Sequence, residues 1–175
     1  METGLIHIYE GDGKGKTTAA IGLAVRVAGA GGNVLFTQFL KDGTSSEISV
    51  LNKIKGMEVY SCTEKLGFVF RMNKEEKAAA AKVYDRYFEE IKKRLLKLDY
   101  HLLVLDEVLD ACSTGILQEE MLYTFLMAKQ PHLEVVMTGH SCTERLEQLA
   151  DYYSKITKVH HPYDRGIKAR MGIEK

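Results

Sequence analysis

Residues 5–18 read LIHIYEGDGKGKTT, and the fold turns on this stretch. The run LIHIY, 5–9, has the composition of a buried strand, whereas KTTAAIGLAVRVAG, from Lys16, has that of a helix. Between them Gly11, Gly13 and Gly15 alternate with Asp12 and Lys14, close to the pattern G-x-x-x-x-G-K-[ST], except that Glu10 stands where the first glycine belongs. Residues without side chains let the backbone curl with its N–H groups inward, and at a helix N-terminus such a nest attracts phosphate. Lys16 adds a point charge, and the Thr17 hydroxyl is placed to ligate Mg²⁺. The competing reading is a glycine-rich turn with an accidental Gly-Lys-Thr; the strand before and the helix after weigh against it. The candidate nucleotide-binding residues are therefore Gly11, Asp12, Gly13, Lys14, Gly15, Lys16, Thr17 and Thr18.

Outward from this loop, short apolar runs alternate with longer helical segments, the signature of βαβ units around a mostly parallel sheet. Six strands are expected, at 5–9, 34–39, 57–61, 102–106, 134–138 and 156–160. The clearest helix begins at Asn73, where Glu76 completes a capping box, and its apolar stripe is Ala80, Tyr84, Tyr87, Phe88, Ile91, Leu95 and Leu98. Further helices are expected over 16–29, 45–54, 118–129 and 142–150. The fold class is α/β: one P-loop (RecA-like) three-layer domain over residues 1–175, with about six strands and helices on both faces. The run HLLVLDE, 101–107, ends a strand in Asp106 and Glu107, which brings carboxylates to the sheet edge where a nucleotide's metal sits. The loop KDGTSSE, 41–47, also follows a strand end, the side of an open α/β sheet on which ligands bind.

Twenty-four basic residues balance twenty-four acidic ones, so no global field draws the chain to nucleic acid or an anionic membrane. Cys62, Cys112 and Cys142 are odd in number and scattered, which suits a reducing compartment and cannot furnish a four-ligand zinc ribbon. No apolar run is long enough to span a bilayer, and the N-terminus leads straight into a strand. A soluble cytoplasmic protein is expected.

The loop GDGKGKTT, the segment TQFLK at 37–41, LDE at 105–107, TGH at 138–140 and the tail HPYDRGIKARMGIE at 161–174 together resemble the P-loop class of ATP:corrinoid adenosyltransferases. A non-glycine at the position of Glu10 is part of that resemblance. It implies transfer of the 5′-deoxyadenosyl group of ATP to Co(I) of a corrinoid, with release of triphosphate, in adenosylcobalamin synthesis or salvage. It also implies Mg²⁺, an electron-donating reductase and a homodimer. Carried over by position, Gly11 to Thr18 hold the triphosphate, with Lys16 catalytic. Thr17 and Glu107 are the favoured metal ligands, Asp106 behind them. Phe68 and Phe70, in LGFVFR, would lie against the lower face of the corrin, displacing its axial ligand and easing reduction of Co(II); two phenylalanines two apart share a face of an extended chain. The competing reading of that pair is an ordinary core strand. Two positions depart from the family pattern, Asp12 for a frequent asparagine and Phe70 for a tryptophan, and only four residues precede the first expected strand, so lid closure by an N-terminal extension is not expected.

Two other functions fit the loop alone. An ordinary P-loop ATPase or small-molecule kinase would give phosphate or ADP, and a non-catalytic module would bind ATP and corrinoid without chemistry. His160 and His161 point to opposite faces of an extended segment and cannot easily share a metal. His140 is expected mainly as a hydrogen-bonded loop residue, Arg26 as a solvent-facing one, and KKRLLK, 92–97, as the exposed side of a helix.

Overall fold

The computed structural model describes residues 3–41, 43–64, 66, 67 and 69–174, excluding the side chain of Phe70. Six strands, β1 (Ile6–Glu10), β2 (Val34–Gln38), β3 (Met57–Ser61), β4 (Leu102–Asp106), β5 (Glu134–Gly139) and β6 (Tyr152–Lys155), form one sheet in the order β3-β2-β4-β5-β1-β6. Every pairing is parallel.

Parallel strands need crossovers that cover both faces, so the central strands are buried on both sides. On one face α1 (Lys16–Gly29) presents Ala20, Ala24 and Ala28, whose small side chains bring the helix close to Phe36, Val104 and Val136. The other face is covered by α3 (Lys74–Leu95), α4 (Val108–Ser113), α5 (Glu119–Met127) and α6 (Glu144–Glu147) over Ile8, Leu35, Leu105 and Met137. A short helix, α2 (Ile48–Leu51), follows β2.

The α3 capping box forms as its sequence requires: Asn73 Oδ1 accepts from Glu76 N at 2.9 Å, and Asn73 N donates to Glu76 Oε2 at 2.8 Å. Its buried stripe runs from Ala80 to Leu95 and includes Val83. Leu98 lies past the helix end and is half exposed.

Other expectations are corrected. The expected helices at 45–54, 118–129 and 142–150 shorten to α2, α5 and α6, and α4 was not foreseen. The sixth strand is Tyr152–Lys155, not 156–160. All four of its residues are exposed, so no inward-facing apolar set marks it. Residues 69–71 form a 3₁₀ turn, so Phe70 sits in no extended chain. That removes the geometric premise for two rings sharing one face; Phe68 and the Phe70 ring lie outside the described residues.

Crossing from β1 to β2 places β5 and β4 between them, so the ends of β1, β4 and β5 converge at the C-terminal edge of the sheet. Ligands of open α/β sheets bind at such a switch point.

Candidate functional site

Three glycines shape the loop after β1 for different reasons. Gly11 and Gly15 have φ of 121° and 124°, which side-chain-bearing residues rarely adopt. A Cβ on Gly11 would come 2.3 Å from Ile156 O, and one on Gly13 2.8 Å from the same oxygen, whereas one on Gly15 would meet nothing. The segment after β6 lies against the back of the loop. Gly13 N donates to Ile156 O at 2.8 Å, Ile156 N to Glu10 O at 2.7 Å, and Lys158 N to the Asp12 carboxylate at 2.9 Å. The backbone N–H of Lys158 lowers the Asp12 pKa, so the extra charge foreseen beside the phosphates is engaged with the tail.

Glu10 has its own task. Its carboxylate is almost buried and is met by the Tyr153 hydroxyl, the Lys155 ammonium at 3.2 Å and the Cys142 N–H. Burial pushes its pKa up, but these partners outweigh burial and hold it below the ordinary carboxylate range. The residue in place of the first glycine thus ties the end of β1 to β6 and to the loop after β5.

Lys16 turns back over its own loop, donating to Gly11 O at 2.6 Å and Gly13 O at 2.9 Å. Thr17 Oγ1 donates to Asp106 Oδ1 at 2.8 Å, and Thr138 Oγ1 donates to the same oxygen at 2.8 Å. Lys41 Nζ lies 2.9 Å from Asp106 Oδ2 and 3.1 Å from Glu107 Oε1. Burial acts to lower the Lys41 pKa, but the two carboxylates outweigh it and raise it, which keeps the ammonium charged. Burial raises the pKa of Glu107.

The structure therefore brings Thr17, Asp106 and Glu107 together, and gives Asp106 the direct bond to Thr17. These hydroxyl and carboxylate oxygens are the hard donors Mg²⁺ takes, commonly one or two carboxylates completed by phosphates and water. Gln38 supports the fit. Its Nε2 reaches Glu47 at 3.2 Å and Asp106 Oδ2 at 3.4 Å, while its Oε1 is buried beside them without a hydrogen-bond partner, as an acceptor that the water of a hydrated cation would satisfy.

A cleft of about 1230 Å³ opens over these groups. The glycine loop from Asp12 to Thr18 forms its floor, residues 44–47 one wall, and Met171 to Glu174 of the tail the other. Met171 Sδ meets Ser46 Oγ at 3.5 Å, so tail and wall touch. His140 faces the cleft; its N–H and Nδ1 are both bound to the Asp110 carboxylate, within 3.2 Å. His161 Nδ1 accepts from Tyr163 N at 3.1 Å and so caps the 3₁₀ turn Pro162–Arg165. Arg26 is exposed, as expected. In 92–97, Lys92 and Lys93 pair with Glu89 and Glu90, but Arg94 pairs with Glu58 and lies over the Tyr60 ring.

Sequence reasoning passed over Lys41, Gln38, Thr138 and Asp110. The segments TQFLK and TGH were noticed as family-like, but neither carries a spacing that states its chemistry.

Fold and loop together define the P-loop class of α/β domain. The ATPase 2 and 3 region of EssC from Geobacillus thermodenitrificans superposes with a TM-score of 0.52 at 14% identity, over 97% of this chain and 35% of that one. The corresponding EccC region from Thermomonospora curvata gives 0.51, also at 14% identity, over 91% of this chain and 32% of that one. The chain spans about a third of those solved chains, and the likeness is one of fold. Within the class, the chain belongs to the family described as ATP:corrinoid adenosyltransferase BtuR/CobO/CobP, whose model matches residues 2–174. It is 34% identical over 173 residues to the corrinoid adenosyltransferase CobA of Salmonella typhimurium, and 31% identical over 174 residues to the corrinoid adenosyltransferase of Escherichia coli K12. Each alignment covers 99% of this chain and 86% of the relative.

Proposed function

We propose that this protein transfers the 5′-deoxyadenosyl group of ATP to the cobalt of a reduced corrinoid and releases inorganic triphosphate. Co(I) attacks the ribose C5′ with its electron pair, the Co–C bond forms as the C5′–O bond breaks, and that bond's electrons leave with the triphosphate. Cobalt ends formally as Co(III), and the step needs no protein base. An external electron donor supplies the reduced substrate.

One observation carries this reading: the family-matched tail folds back so that Met171 to Glu174 and the glycine loop line the same cleft. At about 1230 Å³, the cleft exceeds the roughly 300–1,000 Å³ of a pocket for one small ligand, as room for two substrates requires.

In this arrangement the N–H groups of Gly11 to Thr18 and the Lys16 ammonium stabilise charge growing on the departing triphosphate, which is electrostatic catalysis. Thr17 with Asp106 and Glu107 would hold Mg²⁺, which would supply further positive charge to the phosphates. Phe68 and Phe70 are proposed to face the corrin. The hydrolytic alternative is less well served, because a residue polarising water needs a free carboxylate and Glu107 is assigned here to the metal.

The test is anaerobic incubation with ATP, Mg²⁺ and chemically reduced cobalamin, following the absorbance change and identifying the released phosphate species. Adenosylcobalamin with triphosphate is expected; orthophosphate alone, or no product, would reject the proposal. Lys16→Ala is expected to lower the rate about 10²–10³-fold even with Co(I) supplied.

A further inference from the structure

Lys41 is the one cation joined to both carboxylates at the end of β4 among the described residues. The loop lysine, Lys16, is engaged with the Gly11 and Gly13 carbonyls and touches neither acid. Lys41 instead bridges Asp106 Oδ2 and Glu107 Oε1 at 2.9 and 3.1 Å. Asp106 is fully buried, and an unpaired buried carboxylate is costly, so it needs a positive partner at every stage of a reaction cycle. Lys41 is about a quarter exposed and lines the cleft, so its flexible stem can swing toward an entering anion.

The backbone around this bridge is arranged at a cost. Among the described residues, the non-glycine positions with positive φ are Leu40, at 56°, and Glu107, at 60°. One immediately precedes Lys41 and the other is its partner. A side chain hydrogen-bonds the backbone N–H of each: Leu40 N donates to the Tyr84 hydroxyl at 2.9 Å, and Glu107 N donates to Thr138 Oγ1 at 2.8 Å. Strained backbone persists only where its surroundings enforce it. Here a side-chain hydrogen bond braces it on either side of one ion pair.

We propose that Lys41 is the resident counter-cation of Asp106 and Glu107, exchanged for a divalent ion only when nucleotide phosphates arrive to receive the freed ammonium. Without nucleotide, a metal ion must displace an ammonium bridged to two carboxylates while no phosphate is present to receive it, so free metal binds poorly. With nucleotide, the metal takes the carboxylates and Thr17 while Lys41 turns to the polyphosphate, and every charge stays compensated. The site thus selects the metal–nucleotide complex over free metal. This inference rests on the proposed placement of metal and triphosphate in this cleft, but not on the fate of the adenosyl group.

The test uses Mn²⁺ as probe. Its free-ion paramagnetic resonance signal is titrated with protein, first alone and then with a non-hydrolysable ATP analogue. The unaltered protein is expected to leave Mn²⁺ free when alone and to bind it with the analogue present. Lys41→Met is expected to bind Mn²⁺ alone at least about tenfold more tightly than the unaltered protein, and Lys41→Arg to exclude it as the lysine does. Thermal melts give a second reading: Mn²⁺ alone should raise the midpoint of Lys41→Met and leave that of the unaltered protein in place. A lysine that merely stabilised the fold would not make its replacement bind metal better. Equal Mn²⁺ affinity in the Lys and Met proteins, or tight binding by the unaltered protein without nucleotide, would overturn the exchange. Orthophosphate in the product assay beside the expected Mn²⁺ pattern would reject the adenosyl transfer and leave the exchange standing.

Discussion

Gly11, Gly13 and Gly15 look alike in the pattern of the loop, yet the structure separates their roles. Gly15 needs only its backbone conformation, since a Cβ there meets nothing. Gly11 needs both conformation and room, because Ile156 O lies 2.3 Å from where its Cβ would be. Gly15→Ala should therefore cost about 1–3 kcal/mol, the strain of a rarely populated backbone region. Gly11→Ala should cost more, because backbone atoms must also move. Melting midpoints check this at about 2–4 °C per kcal/mol for a chain of this size, and equal losses would refute the distinction. The nest itself was legible because glycine spacing and Lys-Thr are local signals. The pressure of Ile156 on the loop was not, since that partner lies far along the chain and no local pattern announces it. Lys41 was hidden for the same reason, because a lysine after a strand reads as solvated until β4 brings two acids beside it.

Strands β1, β2, β4 and β5 were readable because burial on both faces demands unbroken apolar runs. β6 was not, since a four-residue exposed edge strand answers to backbone pairing and not to side-chain burial. Its neighbour ITKVH, at 156–160, carries the β-branched alternation and so drew the assignment. That segment nevertheless has a strand-like role, for Ile156 N continues the bonding to Glu10 O and Ile156 O accepts from Gly13. The tail thus supports the phosphate loop through its backbone. Ile156→Pro, which removes the donor to Glu10 O, should lower stability by about 1–3 kcal/mol. It should also weaken binding of an ATP analogue, measured calorimetrically, by a larger factor than it weakens the fold. Unchanged nucleotide affinity would show that the loop holds its shape without this strap.

Across the whole molecule, one core closes the α3 face of the sheet and holds several groups that titrate in alkali. The phenols of Tyr84 and Tyr87 on α3 are buried there, and Tyr84 is pushed up to about 12 by burial, with Tyr87 raised further. Burial likewise pushes the thiols of Cys112 and Cys142 up to about 12. In each case the neutral form is favoured by folding, so the native state holds protons that the unfolded chain gives up near 9.0 for a thiol and 10.0 for a phenol. Stability from these groups is fully present below the unfolded values and is lost as pH rises through the folded ones. The melting midpoint should therefore fall steadily from pH 9.0 to about 12. Tyr84→Phe should start lower, because Leu40 N loses its hydroxyl partner, and then decline less steeply, because one titrating phenol is gone. Parallel curves for the two proteins would mean that Tyr84 ionises alike in the folded and unfolded chain, and its place against Leu40 would then need another explanation.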